Sequence, residues 1–121
     1  MKKTVIIGAT PNPSRYAYLA AEMLQEYNQE FVPVGIKRGS VFGKEILDLR
    51  SLPDIENVDT VTLYVNPQHQ KEWYDYFFKL KPKRVIFNPG TENPELEKSL
   101  EEKNIQALEA CTLVLLRSGQ F

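Results

Sequence analysis

The sequence predicts an α/β fold: an open parallel sheet of about five strands with helices on both faces. Three observations support this prediction. Short apolar segments recur along the chain, apolar residues repeat at helical spacing between them, and Thr4–Ala9 is apolar on both faces. A segment of that last kind is typical of a central parallel strand that helices cover on each side. Such an arrangement is Rossmann-like, and the length of 121 residues suits one domain over residues 1–121.

The first helix is expected to begin near Ser14, where the apolar period changes. Its apolar positions are Tyr16, Ala20, Met23, Leu24 and Tyr27. Phe31–Gly35 is the second predicted strand, and Pro33 within it has no backbone N–H. We therefore expect an irregularity there, or a position where that hydrogen bond is not required. Residues 36–57 form the least regular part of the chain.

The second half of the chain continues the alternation. Three further strands are predicted, at Thr60–Val65, Arg84–Asn88 and Ile105–Glu109. A helix is expected from Pro67 to about Leu80, and Pro82 would end it. Asn93 and Pro94 suit the N-cap and first turn of another helix, from which Leu96 and Leu100 would point inward. The tail from residue 111 fits either a strand or a short buried helix.

The loop after the first strand is the predicted ligand site, because open parallel sheets bind ligands at the carboxyl ends of their strands. This loop and its flanks read VIIGATPNPSR, from Val5 to Arg15. Gly8 permits a close backbone approach, and the following helix offers free N–H groups to a phosphate. Ser14 can donate its hydroxyl, and Arg15 can make a two-pronged contact with phosphate oxygens. A cation at the start of a helix opposes the helix dipole, so a bound anion would account for it.

The loop after the second strand indicates which nucleotide fits. The sequence has no G-x-G-x-x-G, and Lys37 and Arg38 stand where an NAD site places an acid. Residues 36–50 contain four basic residues against two acids, although the whole chain has a net charge of -1. A ligand with a phosphate on its ribose therefore fits better than NAD. NADP and coenzyme A (CoA) both have one.

Three segments carry a family resemblance: GATPNPSR, VPVGIKRGSVFG and TLYVNP. Together they resemble the small CoA-binding protein family, which is similar to the nucleotide-binding N-terminal domain of succinyl-CoA synthetase alpha subunits. The resemblance extends from about Val5 to Glu109. Lys37 aligns with the family's lysine, whereas Gly35 and Ile36 stand where the family usually has Asn-Pro. The tail from Cys111 does not match the family's usual ending.

The resemblance implies a CoA-binding Rossmann fold and a set of site residues. Five residues would line the phosphate loop: Gly8, Thr10, Asn12, Ser14 and Arg15. Lys37 would meet the phosphate near the adenosine ribose, and Pro67 would shape the entrance of the next helix. Three residues would form part of the adenine wall: Val34, Tyr64 and Val65. The candidate cofactor-binding set is completed by Ala9, Pro13, Gly35, Arg38 and Asn66.

Bulk composition points away from several classes of protein. With fifteen basic and sixteen acidic residues, the chain offers no global attraction for nucleic acid or an anionic membrane. Cys111 is the only cysteine, so an internal disulfide or a cysteine-based zinc site is excluded. The first apolar run is too short for a signal peptide, and we expect a cytoplasmic protein. His69 is expected to be exposed, and Cys111 to be a small buried hydrophobe.

The favoured function is a non-catalytic module that binds CoA or an acyl-CoA by its adenosine and phosphate portion. The sequence offers no metal cluster and no nucleophile–base pair, one of which an enzyme needs. Two alternatives stay open. One is an enzyme that uses NADP or another nucleotide. The other is the nucleotide-binding subunit of a larger acyl-CoA ligase-like complex. The expected partner is a small-molecule nucleotide ligand, and a homodimer or a partner subunit both stay open.

Overall fold

A computed structural model describes residues 2–121, in which most strands lie in one parallel sheet. In chain order the strands are β1 (Lys3–Ile7), β2 (Glu30–Gly35), β3 (Ser40–Val41), β4 (Lys44–Glu45), β5 (Leu47–Asp48), β6 (Thr60–Leu63), β7 (Arg84–Phe87) and β8 (Gln106–Glu109). The sheet has six parallel strands in the order β5-β2-β1-β6-β7-β8, and β3 and β4 form a separate antiparallel hairpin. The predicted α/β class is confirmed, with β5 as a strand that the sequence did not indicate.

Strand β1 is central, as predicted. It pairs with β2 on one side and β6 on the other, so both of its edges are hydrogen-bonded. The chain proceeds from β1 outward through β2 to β5, and then crosses back to β6 on the opposite side of β1. The strand order therefore reverses between β1 and β6, where parallel α/β sheets characteristically bind ligands at the carboxyl edge.

Helices cover both faces of the sheet. They are α1 (Tyr16–Glu26), α2 (Pro67–Gln70), α3 (Tyr74–Leu80), α4 (Pro94–Glu102) and α5 (Thr112–Arg117). Helices α1 and α5 pack on the face that buries Ile6. Helices α3 and α4 pack on the opposite face, with Val5 and Ile7. This alternation explains why the consecutive residues Val5, Ile6 and Ile7 are all apolar and fully buried. None of the helices within residues 2–121 is long and apolar enough to cross a bilayer.

The segment from Pro67 to Leu80 is not the single helix that the sequence predicted. It consists of α2, a 3₁₀ turn at Lys71–Trp73, and then α3. The break follows Gln70, whose fully buried side chain donates from Nε2 to the carbonyl oxygens of Val65 and Thr91, at 2.8 Å each. These bonds fix α2 against the loops that contain Val65 and Thr91. The chain then forms the 3₁₀ turn before α3 begins.

The expectations for Asn93, for the tail and for Pro33 agree with the structure. Asn93 caps α4 by accepting from the N–H of Leu96, and Leu96 and Leu100 are fully buried. The tail forms a helix, α5, rather than a strand. Pro33 lies where no backbone hydrogen bond is required. The carbonyl of Val34 faces β1, and successive residues of a strand face alternate sides, so the Pro33 nitrogen faces β5. Pairing between β2 and β5 begins only at Val34.

Candidate functional site

The floor of the candidate site is backbone at the carboxyl ends of β1 and β6. The N–H groups of Gly8 and Ala9 both donate to the Val34 carbonyl oxygen, at 2.9 and 3.0 Å, and Tyr64 N–H donates to the Ile7 carbonyl oxygen at 2.8 Å. Gly8 has a φ of +99°, and a Cβ there would lie 3.0 Å from backbone atoms of Tyr64. The turn out of β1 therefore requires glycine, both for its conformation and for space.

Gly35 at the end of β2 closes this floor from the other side. A Cβ on Gly35 would lie 2.6 Å from the carbonyl oxygen of Ala9, closer than real Cβ atoms approach. Because the obstacle is backbone, no side-chain movement could relieve it. Gly8, Ala9 and Gly35 thus bring the ends of β1 and β2 into direct backbone contact.

The loop after β1 is exposed and shaped by its own side chains. Asn12 Oδ1 accepts from the N–H of Ser14 at 3.0 Å and from its hydroxyl at 2.8 Å, while Thr10 Oγ1 accepts from the N–H of Asn12 at 3.2 Å. Residues 11–15 are all exposed, including Pro13. The polar residues of the predicted phosphate loop thereby hold one another in a defined turn. The lone pairs and surface of Ser14 remain open to solvent.

Helix α1 begins with free donors. Arg15 is its N-cap residue, one position before the helix rather than inside its first turn, and its side chain caps nothing. Within residues 2–121, the N–H groups of Tyr16 and Ala17 have no acceptor in hydrogen-bonding geometry. The first turn contains no acidic residue. The positive end of the α1 dipole therefore faces the loop uncompensated.

The loop after β2 lies against the loop after β1. A Cβ on Gly39 would lie 3.1 Å from Cγ of Pro11, so these two exposed loops are in contact. Lys37 and Arg38 are exposed on the β2 loop. The ion pairs within residues 2–121 are Lys3–Glu30, Arg50–Asp48 and Lys79–Asp54, and none involves Arg15, Lys37 or Arg38. Cations predicted from two separate motifs thus occur on adjoining loops, and none of them takes part in these ion pairs.

The four basic residues of the 36–50 segment are divided by the fold. Lys37 and Arg38 stay in the β2 loop, while the Lys44 ammonium lies over the Phe31 ring, 4.9 Å from its centroid. Arg50 pairs with Asp48 through Nε and Oδ1 at 3.0 Å. Lys37 and Arg38 are therefore the two cations of this segment that have neither an ion pair nor a ring contact with the described part of the chain.

The loop after β6 forms the third wall. Tyr64 is largely enclosed, and burial raises the pKa of its hydroxyl to about 12. Val65 is half-buried, Asn66 caps α2 by accepting from the N–H of His69 at 3.2 Å, and Pro67 is the first residue of α2. These residues follow β6 as expected. Val34 differs, since its side chain is fully buried in the core and only its carbonyl oxygen takes part in the loop geometry.

Two exposed apolar side chains at this edge were not among the sequence candidates. Tyr16 at the start of α1 is 71% exposed, and Ile36 between Gly35 and Lys37 is 56% exposed. The helical pattern had assigned Tyr16 to the apolar stripe, and nothing in the sequence separated Ile36 from the end of a buried strand. Large apolar groups exposed beside unpaired cations suit a ligand with both a ring and phosphates.

Other candidate chemistry lies apart from these loops or is missing. His69 is exposed near the start of α2, as predicted. Cys111 is half-buried rather than buried, at the N-cap of α5. No cluster of three or more histidine, cysteine, aspartate or glutamate side chains within residues 2–121 has a metal-binding arrangement.

Comparison with known proteins gives one family. Residues 2–117 match the family model described as a CoA binding domain. No curated protein matches the chain. A crystal structure of an uncharacterized protein is 60% identical, with a TM-score of 0.96, over 100% of this chain and 98% of that one.

More distant structures share the fold. A Thermus thermophilus protein is 24% identical, with a TM-score of 0.83, over 99% of this chain and 90% of that one. A hypothetical protein from Pyrococcus horikoshii OT3 is 25% identical, with a TM-score of 0.84, over 97% of this chain and 82% of that one. Both similarities extend over nearly the whole of the present chain.

Proposed function

The chain belongs to the family of CoA binding domains, and from this premise we propose that it binds CoA or an acyl-CoA as a non-catalytic module. The ligand would be held by its adenosine and phosphate portion. The observation that best supports the proposal is the contact between the β1 and β2 loops, which carry Arg15, Lys37 and Arg38 as exposed side chains outside any ion pair of the described residues.

The diphosphate of CoA fits the loop after β1. Gly8 leaves the floor free of side-chain atoms, and the free N–H groups of Tyr16 and Ala17 can donate to phosphate oxygens. The Arg15 guanidinium stands at the same helix end without a protein anion. A diphosphate there would compensate both the dipole and the cation, which the protein itself leaves uncompensated.

The ribose 3'-phosphate fits the loop after β2. Lys37 and Arg38 are exposed there, next to the loop that would hold the diphosphate. A dinucleotide without a ribose phosphate would leave these two cations unmatched. The basic turn therefore favours CoA or NADP over NAD.

The adenine ring would lie between the β2 and β6 loops. Ile36 offers exposed apolar surface on the β2 loop. On the β6 loop, Tyr64 packs against the core beneath α1 and α5 and Val65 against the core beneath α3 and α4, so each would contribute only its partly exposed edge. Val34 would contribute through its backbone, since its side chain is enclosed in the core. We assign Ile36 as an adenine contact because an exposed isoleucine in a basic turn otherwise costs hydrophobic free energy.

The non-catalytic part of the proposal rests on the side chains available at this edge. Within the described residues, the three loops present hydroxyl, amide, cationic and apolar groups, without a general base beside a nucleophile. The asparagine and serine of the β1 loop bond to each other, which shapes the loop. Binding without chemistry is what such a set supports.

The experiment is a titration panel of CoA, acetyl-CoA, dephospho-CoA, NAD and NADP, read by thermal shift and by calorimetry. A ligand that binds the folded state raises the Tm by mass action. We expect CoA and acetyl-CoA to raise the Tm, and NAD to leave it unchanged. A shift with NADP but none with CoA would favour the nucleotide-dependent enzyme instead. No shift with any of the five would overturn the proposal.

A further inference from the structure

Asp48 and Arg50 lie beside the proposed 3'-phosphate site, although they belong to none of the sequence segments that predicted this site. Asp48 is the last residue of β5 and is in register with Gly35, the last residue of β2. Paired strands lie about 4.8 Å apart, so the end of β5 adjoins the start of the Lys37–Arg38 turn. Arg38 is also close enough to help lower the pKa of the Asp48 carboxyl, an effect that comes chiefly from hydrogen bonds with Arg50.

The Arg50 side chain is held in one orientation by Asp48. Asp48 Oδ1 accepts from the Arg50 backbone N–H at 2.9 Å and from Nε at 3.0 Å, and Oδ2 accepts from Nη2 at 3.4 Å. A guanidinium has five N–H donors, so most of them stay available. The pair is exposed, with side-chain exposures of 59% for Arg50 and 50% for Asp48.

The Asp48–Arg50 pair contributes little to the stability of the fold, because exposed ion pairs in general do so. Its larger effect is on the charge that a phosphate near Lys37 and Arg38 would meet. A lone carboxylate beside Lys37 and Arg38 would repel a phosphate, whereas a carboxylate neutralised by Arg50 would not. The pairing also orients the guanidinium in advance, which lowers the cost of ordering it on binding.

We propose that Arg50, oriented by Asp48, is a further ligand-binding residue, which donates to the 3'-phosphate of CoA alongside Lys37. This inference rests on the proposed function. Arg50 contacts the ligand, and Asp48 is a positioning residue that acts through it. Lysine at position 50 would keep the charge but lose the planar fork, so Arg50→Lys should restore only part of the effect.

The test measures dissociation constants for CoA and dephospho-CoA by calorimetry, and compares their ratio between variants. Arg50→Ala should weaken CoA about five- to tenfold and leave dephospho-CoA within about twofold, since a charged hydrogen bond is lost to one ligand only. Lys79→Ala is the matched control, because Lys79 forms an exposed ion pair with Asp54 and lies near Lys2 and Asp59, at the amino ends of β1 and β6. It should leave both constants unchanged. Circular dichroism confirms that each variant folds.

Asp48→Ala separates positioning from simple charge, because it removes the accepting oxygens together with the charge. If Asp48 orients Arg50, this variant lowers the preference for CoA over dephospho-CoA, although it removes a negative charge. If the carboxylate only repels the phosphate, the preference rises, and the positioning role is refuted. Asp54→Ala is the control.

Equal effects of Arg50→Ala on both ligands, or no effect on either, would overturn the role of Arg50. A native preference for CoA that persists in that variant would leave the proposed function standing. Native protein that binds neither ligand would refute both.

Discussion

The α-carbon of Gly35 lies so close to Ala9 that a Cβ would come within 2.6 Å of the Ala9 carbonyl oxygen. The N–H of Ala9 in turn donates to the carbonyl of Val34, the neighbour of Gly35. The ends of β1 and β2 are therefore locked together by backbone alone. Both proposed phosphate loops start from this contact, so their relative position depends on it.

Gly35→Ala should both destabilise the protein and weaken CoA binding. The added methyl forces backbone apart, which costs roughly 1–3 kcal/mol in overpacked sites. Urea unfolding measures the first effect, and calorimetry with CoA the second. Gly43→Ala is the control: its φ of +80° is unfavourable for alanine, but a Cβ there meets nothing within 4 Å. It should lose stability with CoA affinity intact, and equal loss of affinity in both variants would refute the role of the Gly35 contact.

Asn88→Ala should lower the free energy of unfolding by roughly 2–3 kcal/mol, because buried polar groups lose their partners. The Asn88 amide nitrogen donates to Thr62 Oγ1 at 2.7 Å and to the Leu63 carbonyl oxygen at 2.9 Å. Its Oδ1 accepts from the N–H of Thr112 at 2.9 Å, which fixes the start of α5 on the sheet. Chemical denaturation checks the value. Gln106→Ala, at an exposed position, should change little, and a similar small change for Asn88→Ala would contradict this account.

Glu97→Gln should raise the Tm at pH 7.5 by roughly 1–3 °C, with a smaller effect near pH 4. Burial, and then the neighbouring Glu109, raise the pKa of Glu97 above its usual value. A raised carboxyl pKa means that the folded state prefers the protonated form, so stability falls as the pH rises through that pKa. Glutamine is neutral throughout and keeps an oxygen to accept from the N–H of Asn93, as Glu97 does at 3.0 Å. Calorimetric scans of this variant and of Glu102→Gln at both pH values check it. An equal shift at both pH values would contradict the explanation.

The fold was largely predictable because most strands are long enough for the pattern of apolar residues on their two faces to be recognised in the sequence. The doubly apolar β1 identified the centre of the sheet, and Asn93 with Pro94 marked the start of α4. The two-residue strand β5 carries too little pattern to be detected. The break after Gln70 depends on hydrogen bonds to loops at positions 65 and 91, which are remote from the local period.

The candidate site was only partly predictable, for a related reason. The loop motifs identified Gly8, Arg15 and Lys37, whose types and spacing carry information on their own. The contact between Gly39 and Pro11, and the placement of Asp48 beside Gly35, arise from the sheet order. The full burial of the Val34 side chain likewise follows from packing on the α3 and α4 face.

Arg15→Glu should weaken CoA binding about tenfold or more without unfolding the protein, since a charged hydrogen bond to phosphate contributes roughly 1.5–3 kcal/mol. Arg15 is exposed and makes no ion pair within the described residues, so folding loses little by its replacement. Lys98→Glu changes the net charge equally on an exposed position of α4, and should leave the affinity unchanged. Calorimetry that shows equal affinities for native protein and Arg15→Glu would exclude the role.

The most direct test of the central claim is the ratio of dissociation constants for dephospho-CoA and CoA, in native protein and in Lys37→Ala. The claim is that the turn after β2 recognises the ribose 3'-phosphate, chiefly through Lys37. The native protein should bind dephospho-CoA at least about tenfold more weakly than CoA, because the charged hydrogen bonds to the 3'-phosphate are lost. In Lys37→Ala this ratio should fall about tenfold, to the share that Arg50 contributes. A ratio near one in the native protein would show that this turn does not read the phosphate, and would contradict the account.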